Sequence, residues 1–163
     1  MQKVLVIGCP GSGKSCFSRA LSKQTGLPVY HLDLLYWNAD RTTVSSDTFL
    51  SRLHKVLQSD SWIMDGNFSA TLPLRIQHCD TVFFLDYPTE VCLTGVRARL
   101  GKPRPDMPWI EQTEDDEFME FITRFTSDRR PAILDLLQKH PKKSIYVFHN
   151  RTEADSYLAS LSK

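Results

Sequence analysis

One short motif constrains this chain more than any other feature, because positions 8–15 read GCPGSGKS. The motif fits G-x-x-x-x-G-K-[ST] at every fixed position, and it lies between the apolar run Val4–Ile7 and a helix-like stretch that begins at Lys14. A glycine-rich turn of this kind surrounds an anion with main-chain N–H groups, and the helix N-terminus adds a partial positive charge. The motif therefore predicts a phosphate-binding loop formed by Gly8, Pro10, Gly11, Ser12, Gly13, Lys14, Ser15 and Cys16.

Two side chains of this loop carry specific expectations. Lys14 is predicted to place a cation beside the β- and γ-phosphates, and Ser15 to offer its hydroxyl to magnesium. The alternative is a turn that merely joins strand to helix, which the agreement of strand, spacing and helix disfavours. The glycine spacing also excludes the dinucleotide fingerprint G-x-G-x-x-G. The loop thus indicates a nucleotide and leaves the reaction open.

Apolar runs and helix-like stretches alternate along the chain. The strand-like runs are Val4–Ile7, Trp62–Met64, Thr81–Leu85, Ser144–Phe148 and a weaker run, Leu27–Leu32, which we expect near a sheet edge because it contains Pro28. The helix-like stretches are Lys14–Thr25, Ser46–Leu57, Thr89–Leu100 and Glu114–Lys139, the last interrupted near Pro131. This alternation predicts an α/β fold with a parallel sheet covered on both faces, and the length predicts one domain over residues 1–163.

Composition excludes several classes of protein. The 20 basic and 19 acidic residues give a net charge of +1, which argues against direct nucleic-acid binding and against a polybasic membrane binder. No apolar run approaches the roughly eighteen residues that span a bilayer. The 4 cysteines form no CxxC pair. Reduced thiols in the cytoplasm are the simplest interpretation.

The segment 101–113 breaks the alternation of strands and helices. Its first nine residues, GKPRPDMPW, hold three prolines, so it is either an ordinary surface loop or a mobile lid. The acidic run that follows, 111–120, is typical of a solvated helix N-terminus. Arginines flank the segment on both sides and suit phosphate, although any single one of them is more often a surface charge: Arg97, Arg99, Arg104, Arg124, Arg129 and Arg130.

Three aspartates follow strand-like runs, where ligands of parallel sheets bind. Asp33, Asp65 and Asp86 could each contact a ligand. Alternatively, Asp33 could cap a helix and Asp65 could begin an Asp-Gly turn. For Asp86, capping of the following helix is the favoured interpretation. The histidines are interpreted as structural or surface residues. Trp37 could stack on a ring, with packing as the default.

Four stretches then read YHLDLLYW (30–37), WIMDGNFSATLPLR (62–75), CDTVFFLDYP (79–88) and RPDM (104–107). In these stretches the chain resembles the bacterial DNA topology modulation proteins, small P-loop proteins related to adenylate and shikimate kinases. The resemblance implies a five-stranded parallel sheet of order 2-3-1-4-5 with a short lid. It also implies that Asp65 holds magnesium through water, that Arg75 contacts the acceptor, and that Asp33 binds acceptor hydroxyls. Of the two arginines that adenylate kinases carry on the helix before the lid, only Arg99 is matched, because Gly95 occupies the first position.

The leading hypothesis is an ATP- and magnesium-dependent phosphotransferase that acts on a nucleotide or a small hydroxylated metabolite, as a monomer or homodimer. Its expected catalytic residues are Lys14, Asp33, Arg99 and Arg129; its substrate-side residues are Asp33, Trp37, Asp65, Asn67 and Arg75; and its metal-binding residues are Ser15 and Asp65. The alternative is an ATP-binding regulatory protein that influences DNA topology or gene expression with little turnover.

Overall fold

Five short strands form one parallel sheet in the computed structural model, which describes residues 1–162. They are β1 (Lys3–Gly8), β2 (Val29–His31), β3 (Trp62–Asp65), β4 (Thr81–Leu85) and β5 (Ser144–Phe148). Their spatial order is β2-β3-β1-β4-β5, and every neighbouring pair is parallel. The order that the resemblance implied is therefore confirmed, and the strand after Pro28 lies at an edge as expected.

Helices cover both faces of this sheet, as parallel strands require. They are α1 (Lys14–Thr25), α2 (Leu32–Tyr36), α3 (Ser46–Leu57), α4 (Leu72–His78), α5 (Thr89–Arg99), α6 (Asp116–Asp128), α7 (Arg130–Gln138) and α8 (Arg151–Ser160), with a single 3₁₀ turn at Ser69–Thr71. The predicted interruption near Pro131 is confirmed, because α6 ends at Asp128 and Pro131 lies in the first turn of α7. Helices α2, α4 and α8 were not predicted.

The apolar part of the central strand of the sheet is fully buried. Val4, Leu5, Val6 and Ile7 of β1 are fully buried, because β3 and β4 flank this strand and helices cover it. Burial on both faces accounts for the continuous apolar run, where an antiparallel strand would alternate. Among residues 1–162, no helix is long and apolar enough to cross a membrane.

Parallel strands bring all five of their carboxyl ends to one edge of the sheet. The phosphate-binding loop follows β1, α2 follows β2, an Asp-Gly-Asn turn ends β3, Asp86 follows β4, and α8 begins just after β5. The predicted site residues that follow strands thus share one edge.

Candidate active site

The phosphate-binding loop runs directly into α1 without a side-chain cap. Gly13 occupies the N-cap position with φ 93°, a left-handed conformation that glycine adopts without a steric cost. The first turn of α1 contains no acidic residue. Its main-chain N–H groups and the positive end of the helix dipole suit an anion, as the motif predicted.

Lys14 lies folded against its own loop. Its ammonium donates to the carbonyl oxygens of Gly8 at 2.9 Å and Cys9 at 3.1 Å. Burial lowers the pKa of Lys14, and the nearby carboxylates of Asp65 and Asp33 oppose this effect. The loop therefore holds a cation beside its N–H groups, within the electrostatic influence of two of the predicted aspartates.

Helix α5 packs its backbone directly on this loop. A Cβ atom on Gly95 would stand 2.1 Å from the carbonyl oxygen of Gly11, and one on Gly11 would stand 2.0 Å from the carbonyl oxygen of Cys92. In the adenylate kinases that the chain resembles, an arginine occupies the position equivalent to 95. In this chain the space for any side chain there is filled by the loop, so the departure at Gly95 is a packing requirement.

Gly95→Ala should therefore destabilise the protein by about 1–3 kcal/mol through overpacking, although alanine is the better helix former by roughly 1 kcal/mol. Urea denaturation measures the change, and the ATP affinity should fall with it because the loop is displaced. Ala98→Gly, on the exposed part of the same helix, gives the propensity effect alone. A Gly95→Ala variant as stable as the wild type would contradict the close packing.

The Asp-Gly-Asn turn after β3 binds both neighbouring strand ends. Asp65 Oδ2 lies 2.7 Å from His31 Nδ1 at the end of β2, and both side chains are buried. Asn67 Oδ1 accepts a hydrogen bond from the main-chain N–H of Gly8 at 3.2 Å. His31, interpreted from sequence as a structural or surface residue, is thus the direct partner of Asp65. Asn67 thus binds the first residue of the phosphate-binding loop.

Arg75 does not occupy the position expected of it. Its side chain is fully buried, and its guanidinium donates to the carbonyl oxygens of Gly66, Asn67 and Phe68 and to the Thr71 hydroxyl. The expectation that Arg75 contacts the acceptor is corrected. This arginine holds the turn that carries Asp65, because the carbonyls of a tight turn need buried donors.

Asp33 lies in the first turn of α2, two residues beyond the end of β2. The N-cap of α2 is His31, so Asp33 is not the cap. Burial raises the pKa of Asp33 to about 6; Lys14 opposes the shift, whereas Asp65 and Asp106 reinforce it. A carboxylate with a pKa near neutrality, beside the loop cation, suits a general base.

Asp86 is not a helix cap. Its carboxylate forms a bidentate ion pair with Arg130, with nitrogen–oxygen distances of 2.8 to 3.0 Å. His149 Nδ1 lies 3.7 Å from Asp86 Oδ2. The N-cap of α5 is Pro88. The pair joins the end of β4 to α7, so both Asp86 and Arg130 have a packing role.

Within the segment 101–113, carboxylates pair with the arginines. Arg99 donates to both oxygens of Glu111 at 2.9 and 3.3 Å. Arg104 pairs with Asp106 at 2.9 Å and with Glu111 at 3.4 Å. Glu111, assigned from sequence to a solvated helix terminus, is instead half-buried within this network. Sequence analysis gave no role to Asp106, which is buried and 3.9 Å from Arg19 of α1.

Arg129 and Arg97 lie at the surface. Arg129, predicted to be catalytic, is exposed, and its guanidinium lies over the ring of Phe121 at 5.4 Å. Arg97 is paired with Glu114 at 2.6 Å on the surface. Arg129 lies at the junction of α6 and α7, and its catalytic role stays a prediction.

Arg151, at the start of α8, is a contact of the loop that sequence analysis missed. Its guanidinium lies 3.3 Å from the carbonyl oxygen of Gly11 and 3.5 Å from that of Ser12. It also covers Gly13, since a Cβ atom there would stand 2.8 Å from Arg151 Nη1. A side chain at position 13 would require Arg151 to shift and would be strained by the positive φ of this residue.

Trp37 joins α2 to the segment 101–113. Its ring packs edge-to-face on Trp109 with centroids 5.6 Å apart, and the Arg41 guanidinium lies over the Trp109 ring at 5.1 Å. Arg41 also donates to the carbonyl oxygen of Ile110 at 3.4 Å. Trp37 thus meets the segment 101–113 through an aromatic contact, and packing is its observed role.

The residues predicted to hold a magnesium ion are Ser15, whose hydroxyl lies in the first turn of α1, and Asp65, whose carboxylate lies at the end of β3. Magnesium prefers oxygen ligands, and it takes most of them from water and from substrate phosphates. Within residues 1–162, no three His, Cys, Asp or Glu side chains gather as a cage of their own. The two oxygen donors fit an ion that a phosphate would bring with it.

Comparison with known proteins defines the fold. No protein-family model and no curated protein matches the chain. A shikimate kinase from Bacteroides thetaiotaomicron has a TM-score of 0.62 at 20% identity, covering 97% of this chain and 94% of that one. A shikimate kinase from Acinetobacter baumannii in complex with shikimate has a TM-score of 0.65 at 16% identity, with coverage of 99% and 90%. A gluconokinase from Sinorhizobium meliloti 1021 has a TM-score of 0.56 at 15% identity, with coverage of 99% and 93%. At these identities the likeness concerns architecture, and the architecture is the three-layer P-loop kinase fold.

Proposed function

We propose that this protein is a kinase that transfers the γ-phosphoryl group of ATP to a hydroxyl group of a small molecule. The observation that supports this most directly is the placement of Asp33, with a pKa raised to about 6, within the electrostatic influence of Lys14 in the phosphate-binding loop. A binding module needs only the loop, whereas phosphoryl transfer also uses a base beside it that activates the attacking hydroxyl. The kinases that share the fold are consistent with this proposal.

In the proposed reaction, the carboxylate of Asp33 accepts the proton of the acceptor hydroxyl. The acceptor oxygen forms a bond to the γ-phosphorus while the bond from that phosphorus to the β–γ bridging oxygen breaks, and ADP leaves with the bonding electrons. Lys14 and the loop N–H groups stabilise the negative charge of the phosphoryl oxygens. Ser15 and Asp65 would hold a magnesium ion, which supplies further neutralisation of those oxygens.

A transfer assay tests the proposal. The protein is incubated with γ-labelled ATP, magnesium and a panel of nucleosides, nucleotides, sugars and hydroxy acids, and labelled product is separated from labelled phosphate. We expect transfer to at least one class, lost in Asp33→Asn. Tight ATP binding with no transfer to any class would overturn the kinase proposal and favour the alternative, an ATP-binding regulatory protein that influences DNA topology or gene expression with little turnover.

The segment 101–113 would act in this reaction as a lid. Phosphate oxygens would replace the carboxylates that now pair with Arg99 and Arg104. The segment would then close over the cleft and exclude water from it.

We expect hydrogen exchange in 101–113 to slow on addition of magnesium and a bisubstrate analogue. Arg99→Ala should lower turnover roughly ten- to hundredfold, the effect of one charge-assisted contact. Arg97→Ala is the matched control, because Arg97 lies on the same helix and pairs with Glu114 at the surface. Unchanged exchange with a harmless Arg99→Ala would contradict the lid.

A further inference from the structure

Asp65 lies in a row of three side chains across the sheet. Its register partners are His31 in β2 and Val6 in β1, and register partners on neighbouring parallel strands point to the same face. Val6 is apolar and fully buried, so it offers the carboxylate no hydrogen bond. The imidazole of His31 is therefore the polar neighbour that the sheet places beside Asp65.

The two carboxylate oxygens of Asp65 have different surroundings. Oδ2 lies 2.7 Å from His31 Nδ1, and both side chains are buried. A carboxylate oxygen can only accept a hydrogen bond, so Nδ1 carries the proton of this bond. Oδ1 accepts no hydrogen bond from any of residues 1–162. One oxygen of Asp65 is thus bound within the protein, and the other is available to a ligand.

Two cations act on Asp65 without binding it. Lys14 and Arg75 are within its electrostatic influence, but both donate to main-chain carbonyl oxygens instead. Rotation of an aspartate about its Cβ–Cγ bond has a broad, roughly twofold energy profile, so charge alone does not fix the two oxygens. The orientation of this carboxylate therefore depends on the hydrogen bond from His31.

The backbone on both sides of His31 fixes the imidazole in turn. His31 is the last residue of β2, where it pairs in register with Asp65, and it is also the N-cap of α2. A donor attached to both a strand and a helix is held in place before any ligand arrives. His31 thus has the position of an outer partner that orients a ligating carboxylate.

We propose that His31 is a positioning residue for the magnesium ion, which acts by holding Oδ2 of Asp65 and leaving Oδ1 to the ion and its water. The inference rests on the proposed function, in which Asp65 holds magnesium beside the phosphates of ATP. His31 itself touches neither the ion nor the nucleotide. It determines how strongly the ion is bound, because a carboxylate that is already oriented loses less freedom on binding.

Mn²⁺ binding tests the inference without any reaction. Mn²⁺ prefers the same oxygen ligands as magnesium, and electron paramagnetic resonance measures its Kd in the presence of AMPPNP, an ATP analogue with an imido bridge. We expect His31→Phe, which removes the donor at similar size, to raise this Kd about 10- to 100-fold. Binding of ATP without metal should be unchanged. His54→Phe, at an exposed position of α3, is the matched control and should leave the Kd unchanged.

Two further variants distinguish positioning from a merely structural role. His31→Asn keeps an N–H donor near the place of Nδ1 and should restore the Mn²⁺ Kd to within about threefold of the wild type. In an Asp65→Asn background, His31→Phe should raise the Kd no further, because the imidazole acts through that carboxylate. A folded His31→Phe variant that is less stable but binds Mn²⁺ like the wild type would overturn the inference.

Wild-type protein decides the question if His31→Phe does not fold. Magnesium added to the complex with AMPPNP should shift the NMR signal of His31 Nδ1, because a cation at Asp65 weakens its oxygens as acceptors, and should leave that of His54 in place. An unshifted His31 signal, or no binding of Mn²⁺ by the wild type with AMPPNP, would overturn the inference. The kinase proposal is decided separately by transfer from labelled ATP, since Mn²⁺ binding needs no acceptor.

Discussion

Lys14→Ala is expected to lower turnover by a factor on the order of 10² to 10³, the usual effect of removing one group that stabilises transition-state charge. ATP affinity should fall roughly ten- to hundredfold, because a charge-assisted contact to phosphate contributes about 1.5–3 kcal/mol. The ammonium now donates to the carbonyls of Gly8 and Cys9, so it needs little movement to reach a ligand in the loop. Calorimetry with ATP and the transfer assay measure the two effects.

Lys23→Ala is the control for this variant, since Lys23 lies in the last turn of the same helix and is exposed. It should bind and turn over ATP like the wild type. A folded Lys14→Ala variant with unchanged ATP affinity would remove the phosphate-binding role of the loop.

Asp33→Asn should lower kcat by a factor on the order of 10² to 10⁴, the range of general-base catalysis, with ATP affinity nearly intact. The wild-type kcat should rise with pH through about 6, because the carboxyl must lose its proton to act as a base. The asparagine variant should lack this rise. Asp60→Asn, at an exposed site, is the control. Equal activity of the Asp33→Asn variant and the wild type would contradict the role of Asp33 as the general base.

The same substitution should stabilise the protein. The pKa of Asp33 is about 6 in the folded state, above the ordinary value of 3.8, so this carboxyl favours folding most when protonated. That contribution is complete below pH about 4 and is lost as pH rises through about 6. At pH 7.5, Asp33→Asn should therefore unfold with up to about 3 kcal/mol more free energy than the wild type, and at pH 4 with nearly the same. Urea denaturation at both pH values measures the difference.

The features that could be predicted from the sequence were mostly those that depend on consecutive residues. The phosphate-binding loop was predictable because its glycines, lysine and serine are consecutive, and the interruption before Pro131 because one residue causes it. Helix α8 was missed because its sequence RTEADSYLAS is short and mostly polar, although Ala154, Tyr157 and Leu158 lie on one face and pack on the core.

The pairings within the site could not be predicted because they join distant positions. His31 and Asp65 are 34 residues apart in sequence and meet only because β2 lies beside β3. Arg75 matches the resemblance in residue type, yet its surroundings are carbonyls of the turn that precedes it. The identity of a residue indicates its chemistry, whereas its partner depends on the order of the strands.

The contact between Arg151 and the phosphate-binding loop extends the nucleotide site to a helix far along the chain. Arg151, at the start of α8, contacts the carbonyls of Gly11 and Ser12, so a ligand that shifts the loop would change these contacts. If the loop binds ATP as proposed, substitutions in 151–160 that reposition Arg151 would change nucleotide affinity while every residue of the motif stays the same.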